Sequence, residues 1–450
     1  MSSSEVPPPP QAPRASGLQR ALTRLVDVRP EEVGPLLLGI ACYALLLTGY
    51  YILRPLRETV GIHAGSELLP YLMMTVLATS MVLNPLYSNL VARMPRSRFI
   101  PLVYRGLIGL LLLFYLALEN LQGTGLVWAS RGFYVFLSVA NLFMVSLFWS
   151  LMADLFDRAR AVRLFATIAM GGSLGALLGS SITGNLVGVL GPANLVLISI
   201  LLIEAATRTA LAIHRRFAAG PDSGEAQLDG LHARADLAIG GSRWAGFQAI
   251  GRSPYLIGIS SYMVLYGLSS TFTYMIQGQV VERAASSEEL RTQIFANIDF
   301  WTNAVTFVFQ AGVTARLMKW FGAGPVLVLL PVYTAVGFLL LSSGWFEGAS
   351  MLSALMVFQV FRRALGYGVS KPVREMLYTV LPAEEKYKAK NLIDVSMPRA
   401  GDAMGAATTG AMKSLGLGLG ALALAAMPIS AIWIAVGLGL GVAFKRSDGT

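Results

Sequence analysis

Ionic side chains are scarce in this 450-residue chain: Asp, Glu, Lys and Arg make up 13% of it, against about 25% in a typical soluble domain. Apolar residues account for 55%. A water-facing surface cannot be built from that ratio, so most of the surface is expected to face lipid, as a single large membrane domain. Cysteine is almost absent. Cys42 alone cannot form an internal disulfide, and His63, His214 and His232 form no ligand cluster. Metal and redox chemistry therefore find no support, and no cofactor is expected. The formal charge of +10 would suit a nucleic-acid binder only if it were gathered into one basic region. It is spread instead over short segments between apolar runs, so no nucleic-acid partner is expected.

The first residues, MSSSEVPPPPQAPRASG, contain no apolar segment. They read as a disordered, Pro-rich tail over 1–30 rather than a signal peptide. Backbone groups in lipid must be satisfied within their own segment, so the apolar runs that follow are read as helices. Their expected spans are 33–58, 67–91, 99–118, 126–152, 164–189 and 192–213. A second set is expected at 254–281, 293–315, 325–343, 350–370, 391–414 and 417–444.

Loop charges test that count independently, because cytoplasmic loops carry the excess of Lys and Arg. With both termini placed in the cytoplasm, five basic residues fall outside: Arg54, Arg57, Arg283, Arg291 and Lys413. Six lie within spans or at their ends: Arg105, Arg131, Arg208, Arg362, Arg363 and Arg399. The remaining 24 of the 35 are cytoplasmic.

A polar central loop, 214–253, divides the chain into an N-terminal half at 31–213 and a C-terminal half at 254–445, with a short tail at 446–450. Traces of a repeat relate the halves. Ala92-Arg93 recurs as Ala315-Arg316, 223 residues on, and Thr183-Gly184 recurs as Thr409-Gly410, 226 residues on. The expected fold is an all-α membrane protein of about twelve transmembrane helices in two pseudo-repeated six-helix halves. That is a major facilitator-like plan, with a substrate site near the midplane between the halves.

Charges within such spans are costly and should face protein or water. Arg105, Arg131, Arg362 and Arg363 are all in apolar context. Each has a snorkelling or ion-paired reading, but several lining one cavity would bind an anion, since guanidinium grips phosphate and carboxylate bidentately. Arg362 and Arg363 point about 100° apart on a helix, so one of them is expected to face the cavity. Arg54 and Arg57 share a helix face near the end of the first span, where an interfacial anchor is the competing role. Arg399 and Asp402, three apart, are expected to neutralise each other. Asp394 is a further carboxylate of that span. Asp299 and Glu204 could each carry a coupling proton, and Asp299 has the alternative of pairing with an Arg across the cavity.

The run GGSLGALLG spaces Gly171, Gly175 and Gly179 four apart, a ridge for close helix packing. No Gly-Lys-Ser/Thr follows, so it is not a phosphate loop. The glycines of 416–420 and 437–441 are given the same packing role. Tyr50-Tyr51 could stack on a ring or sit in an interfacial belt.

The stretch KPVREMLYTVLPAEEKYKAKNLIDVSMPRAGD, residues 371–402, resembles a segment of the ATP/ADP translocases of plastids and obligate intracellular bacteria. Those carry P-x-K-E-M-x-Y, then K-x-K-x-K, I-D and an Arg. The matching residues here are Pro372, Arg374, Glu375, Met376, Tyr378, Lys386, Lys388, Lys390, Ile393, Asp394 and Arg399. LRPLRE at 53–58 is similar to the family's L-R-D-x-K-D, with Arg57 in place of Lys. SLFW at 146–149 is similar to its V-L-F-W.

Carried over by position, the resemblance implies that Arg57, Arg363 and Arg374 keep the family's positive charges. Asn141 and Ser270 stand where the family has Glu, so the cations stay while two carboxylates are lost. It also implies transport of a nucleotide or phosphorylated anion by alternating access, with ATP or ADP as cargo. Arg57, Arg105, Arg131, Arg363 and Arg374 are then the expected phosphate ligands, and Tyr51 and Trp149 contact the rest. The setting would be a bacterial inner membrane, and the working unit a monomer in the bilayer. The alternative is a proton-coupled carrier of another organic anion. A membrane enzyme or scaffold would need a nucleophile motif, a metal set or a soluble domain, and no such feature is visible.

Overall fold

The computed structural model describes residues 29, 32–63, 66–93, 96–156, 158–217, 250–378, 380, 381 and 383–448. The tail at 1–30 (apart from residue 29), residues 218–249 of the central loop and residues 449–450 lie outside them.

Among the described residues the chain forms twelve helical rods. In the first half these are α1 (Val33–His63), α2 (Leu69–Arg93), α3 (Arg96–Asn120) and α4 (Thr124–Leu155), followed by one stretch, Arg158–Phe217, broken at Gly191. Gly191 has φ 77 and ψ 161, a left-handed φ that favours glycine, and Pro192 starts the next helix. The stretch is therefore two rods, α5 at 158–190 and α6 at 192–217. In the second half, α7 is Pro254–Ala284 and α8 runs 288–321. After them come α9 (Ala323–Ser342), α10 at 348–377, α11 (Ala383–Ser414) and α12 (Leu419–Asp448). α8 and α10 each contain a π-helical turn, Phe309–Val313 and Leu365–Ser370. The two turns pack together, with the Thr314 hydroxyl donating to the Gly368 carbonyl at 2.8 Å.

One boundary differs from the sequence reading in an informative way. α10 does not end near 370 but continues through KPVREML, so Arg374 sits on a helix rather than in a loop. Arg54 and Arg57 lie within α1, as the expected span 33–58 has them.

Packing repeats between the halves. A Cβ on Gly171, Gly175 or Gly179 of α5 would fall 2.5, 2.3 or 2.5 Å from the carbonyl oxygens of Ile40, Ala44 or Thr48 on α1. Such contacts are possible only for glycine, and they bring the two backbones together along the whole ridge. α7 and α11 meet in the same manner, with Gly267 against Pro398 and Gly401 against Val264. Gly441 packs on Gly324 of α9, as expected of the second glycine run. The first run is different: a Cβ on Gly416, Gly418 or Gly420 would meet nothing within 4 Å, and Gly416 (φ +74) turns the chain between α11 and α12.

One core cluster is drawn wholly from residues 33–213 and another wholly from 256–444. A third joins the halves, with Ile62, Leu69 and Tyr134 on one side and Met275, Ile294 and Phe295 on the other. Polar contacts between the halves gather at the same end, where α1 and α7 finish. Thr59 and Thr292 share a hydroxyl hydrogen bond of 2.8 Å, and the Ser66 N–H donates to Glu282 at 3.1 Å. Lys413 Nζ donates to the Ser66 carbonyl at 2.8 Å. Among the described residues, no hydrogen bond or ion pair ties residues 33–53 of α1 to the second half. Among the described residues, these polar contacts fasten the halves at the end where α1 and α7 finish.

Candidate functional site

Next to that closed end, a cavity of about 450 Å³ opens between the halves. Each rod that lines it contributes residues at helical spacing. α1 gives Arg54, Arg57 and Glu58; α4 gives Tyr134, Ser138 and Leu142; α2 adds the apolar Met73, Val76 and Leu77. From the second half, α7 gives Tyr266, Ser270, Tyr274 and Gln277, with Thr271 beside them. α8 gives Phe295 and Asp299, α10 gives Gln359, Arg362, Arg363 and Tyr367, and α11 gives Arg399, Asp402 and Ala403. Five guanidinium groups thus face three carboxylates.

The charges are not evenly paired. Asp299, 3% exposed, accepts from Arg54 of the first half and from Arg363 at 2.8 Å. It reaches α1 because it lies two turns along α8 from Thr292, on the stripe that meets Thr59. Glu58 pairs with its neighbour Arg57 and accepts from the Tyr274 hydroxyl at 2.5 Å, again across the halves. Tyr134 and Tyr274 share a further hydrogen bond of 2.9 Å, and Arg57 lies 5.5 Å over the Tyr134 ring.

Arg362 is held otherwise. It is 5% exposed and, among the described residues, its one hydrogen bond goes to the Ser270 hydroxyl at 3.0 Å. Its Nε has no partner, as is also true of the Arg57 Nε and the Asp299 Oδ2.

The cavity therefore brings together Arg57, Arg363, Ser270, Asp299, Arg399 and Asp402 from the sequence-derived set. Asp299 makes its pair across the cavity. The ion pair expected between Arg399 and Asp402 is not formed. Asp402 accepts instead from the Thr271 hydroxyl at 3.2 Å, since Gly401 draws this face of α11 onto α7. Nor does only one of Arg362 and Arg363 face the cavity. Both line it, because a long side chain spans the 100° between adjacent helix positions.

Other expected residues lie elsewhere. Arg105 is 56% exposed and pairs with Glu204 at 3.2 Å, which also takes Arg208, four residues on along α6. The two arginines share this one carboxylate on the outer face of the bundle. Arg131 stacks 4.9 Å from Trp128 in an apolar groove between α2, α3 and α4. Arg374 packs against the Met263 sulfur and lies 5.5 Å over the Tyr266 ring, behind the lining. Tyr51 lies under Arg54, and Trp149 belongs to an aromatic cluster with Tyr43, Phe148 and Phe165. Asn141 is half-buried on α4 outside the lining, and Asp394 accepts from Tyr378 at 3.3 Å.

The sequence reading did not name Glu58, Tyr134, Tyr266, Tyr274, Gln277, Gln359 or Tyr367 as site residues. Their signal was present as polar side chains repeating every three or four residues along otherwise apolar helices.

No protein-family profile matches the chain. Part of it is similar to ADP,ATP carrier protein 1 of Chlamydia pneumoniae, 25% identical over 175 residues. That match takes in 36% of this chain and spans about a third of the carrier's own length (34%).

Solved structures match nearly end to end. A bacterial homologue of the lysosomal transporter Spinster, in an inward-facing and unoccupied conformation, aligns over 93% of this chain and 99% of its own at TM-score 0.58 and 12% identity. The nucleoside transporter NupG aligns over 92% and 99% at TM-score 0.57 and 12% identity. A POT peptide transporter in complex with sulfate aligns over 90% and 95% at TM-score 0.60 and 14% identity. At these identities the likeness shows the fold alone: the chain has the major facilitator-like fold of secondary transporters.

Proposed function

We propose that the protein is a secondary carrier of an anionic solute, nucleotide or other phosphorylated compound, working by alternating access. The observation that carries this is the cavity itself, where five Arg outnumber three carboxylates in a buried space between the halves. Guanidinium forks suit phosphate, and the tyrosines that line the space suit a base or sugar ring. The partial similarity to an ADP,ATP carrier supports a nucleotide as the cargo.

With both termini in the cytoplasm of a bacterial inner membrane, the fastened end of the bundle is the outer one and the cavity faces inward. The protein then works as a monomer of two six-helix halves, 31–213 and 254–445.

Uptake of labelled ATP, ADP and inorganic phosphate into proteoliposomes tests the reading. Saturable uptake that preloaded nucleotide accelerates is expected, whereas flat uptake of every anion would overturn it.

A second reading, a proton-coupled organic anion carrier, is favoured by Asp402. It lines the cavity and, among the described residues, forms no ion pair. Asp299 is engaged by two Arg and Glu204 lies outside the cavity, so Asp402 takes the coupling role in that reading. It entails uptake that an uncoupler abolishes and that Asp402→Asn makes independent of pH.

A further inference from the structure

Five guanidinium groups line the cavity, yet two arrangements hold them. Arg54 and Arg363 converge on one oxygen of Asp299, and Arg57 is engaged by Glu58. Both clusters bridge the halves, through Arg54 to Asp299 and through Tyr274 to Glu58. They lie alongside Thr59 and Thr292 at the fastened end.

Arg362 and Arg399 are different. Among the described residues neither has a carboxylate within 4 Å. Arg362 uses one of its five N–H donors, on Ser270, and keeps Nε unpartnered while buried. An uncompensated buried cation is costly unless something arrives to neutralise it. The neighbouring residues on α7, Ser270 and Thr271, hold Arg362 and Asp402 respectively, so this sector is built from α7, α10 and α11 of the second half alone.

We propose that Arg362 and Arg399 seat the phosphate or carboxylate group of the cargo, whereas Asp299 with Arg54 and Arg363 is a latch that fastens the halves. The proposal rests on the anion-carrier reading and adds a division of labour within the cavity. A ligand in the open sector meets two cations that, among the described residues, no carboxylate pairs, beside Asp402, whose carboxyl accepts from Thr271. The latch is then free to open and reform during the transport cycle while the anion stays bound to one half. Asp299 is a positioning residue in this scheme and does not touch the cargo.

Binding and transport should separate in variants of the full-length protein. ADP and inorganic phosphate are the probes, with affinity read by titration in detergent and counter-exchange read in proteoliposomes. Arg362→Gln and Arg399→Gln are each expected to weaken binding of both probes about 10-fold or more, as loss of a charge-assisted contact does. Asp299→Asn is expected to bind at least as tightly as the wild type, since it frees two more cations, and to lose about 10-fold or more of its exchange rate.

Should Arg362→Gln fail to fold, Arg362→Lys keeps the charge without the fork and is expected to show an intermediate loss of affinity. Full affinity in Arg362→Lys and Arg399→Gln, with loss in Arg54→Gln, would reverse the assignment and overturn it. Unchanged exchange in Asp299→Asn would remove the latch. If the wild type binds neither probe, the anion-carrier reading fails as well; if it binds them but the variants do not divide this way, only the partition fails.

Discussion

The two halves solve the same packing problem with different side chains. Among the described residues the first half holds five stretches long and apolar enough to cross a bilayer, one of them running through both α5 and α6, whereas in the second half only α9 and α12 hold one. The four that do not, α7, α8, α10 and α11, are those that present Tyr266, Asp299, Arg362 and Asp402 to the cavity. Polar side chains in a spanning helix are tolerated where they face protein or a cavity, and here they line the cavity between the halves. Helix ridges and fold are shared between the halves, while the chemistry is concentrated in the second. α1 is the exception, an apolar rod carrying Arg54, Arg57 and Glu58 on the face that meets the second half.

The largest effects should come from the shared ridges. Gly175→Leu and Gly401→Leu each place a side chain where a neighbouring carbonyl already sits, 2.3 and 2.1 Å from the Cβ. No monodisperse protein is expected on size-exclusion chromatography. Gly188→Leu, which meets nothing within 4 Å, should behave as wild type. Folded protein from either ridge variant would break the equivalence of the α1–α5 and α7–α11 pairs.

A smaller effect separates cavity from periphery. Arg57→Gln should lower nucleotide exchange about 10-fold or more, from the loss of charge-assisted hydrogen bonds of about 1.5–3 kcal/mol. Arg105→Gln, on the outer face, should stay within about twofold of wild type, because an exposed ion pair contributes about 0–1 kcal/mol. Equal losses would erase the distinction.

Tyr274→Phe removes two hydrogen bonds between the halves at the fastened end. A stability loss of about 1–3 kcal/mol is expected, read as a lowered melting temperature. The smallest change is expected for Glu204→Gln, whose uptake and response to an uncoupler should match wild type. A collapse of uptake in that variant would return Glu204 to a coupling role.

The glycine ridge of α5 and the order of the twelve rods were legible in the sequence because each rests on local spacing. The cavity was legible only in part. Arg363, Arg105 and Arg131 each read in sequence as a cation in an apolar run, yet one lines the cavity, one faces outward and one lies under Trp128. Lipid and protein core are equally apolar, so periodicity cannot reveal which face of a spanning helix turns inward. Asp299 illustrates the same limit. Its partners are 245 and 64 positions away along the chain, and only the assembled bundle brings them within reach. The expected Arg399–Asp402 pair failed for the opposite reason: proximity along a helix was overruled by the Thr271 hydroxyl on the rod packed against it.

The most direct test is ligand stabilisation of the purified wild-type protein by ADP, by inorganic phosphate and by adenosine, which has the base and sugar without the charge. A ligand at about 100 times its dissociation constant stabilises the folded state by about 2.7 kcal/mol. ADP and phosphate are expected to raise the melting temperature, with an effect that weakens as salt is added, and adenosine alone is expected to do little. Stabilisation by adenosine equal to that by ADP, or by none of the three, would contradict an Arg-lined cavity that binds anions.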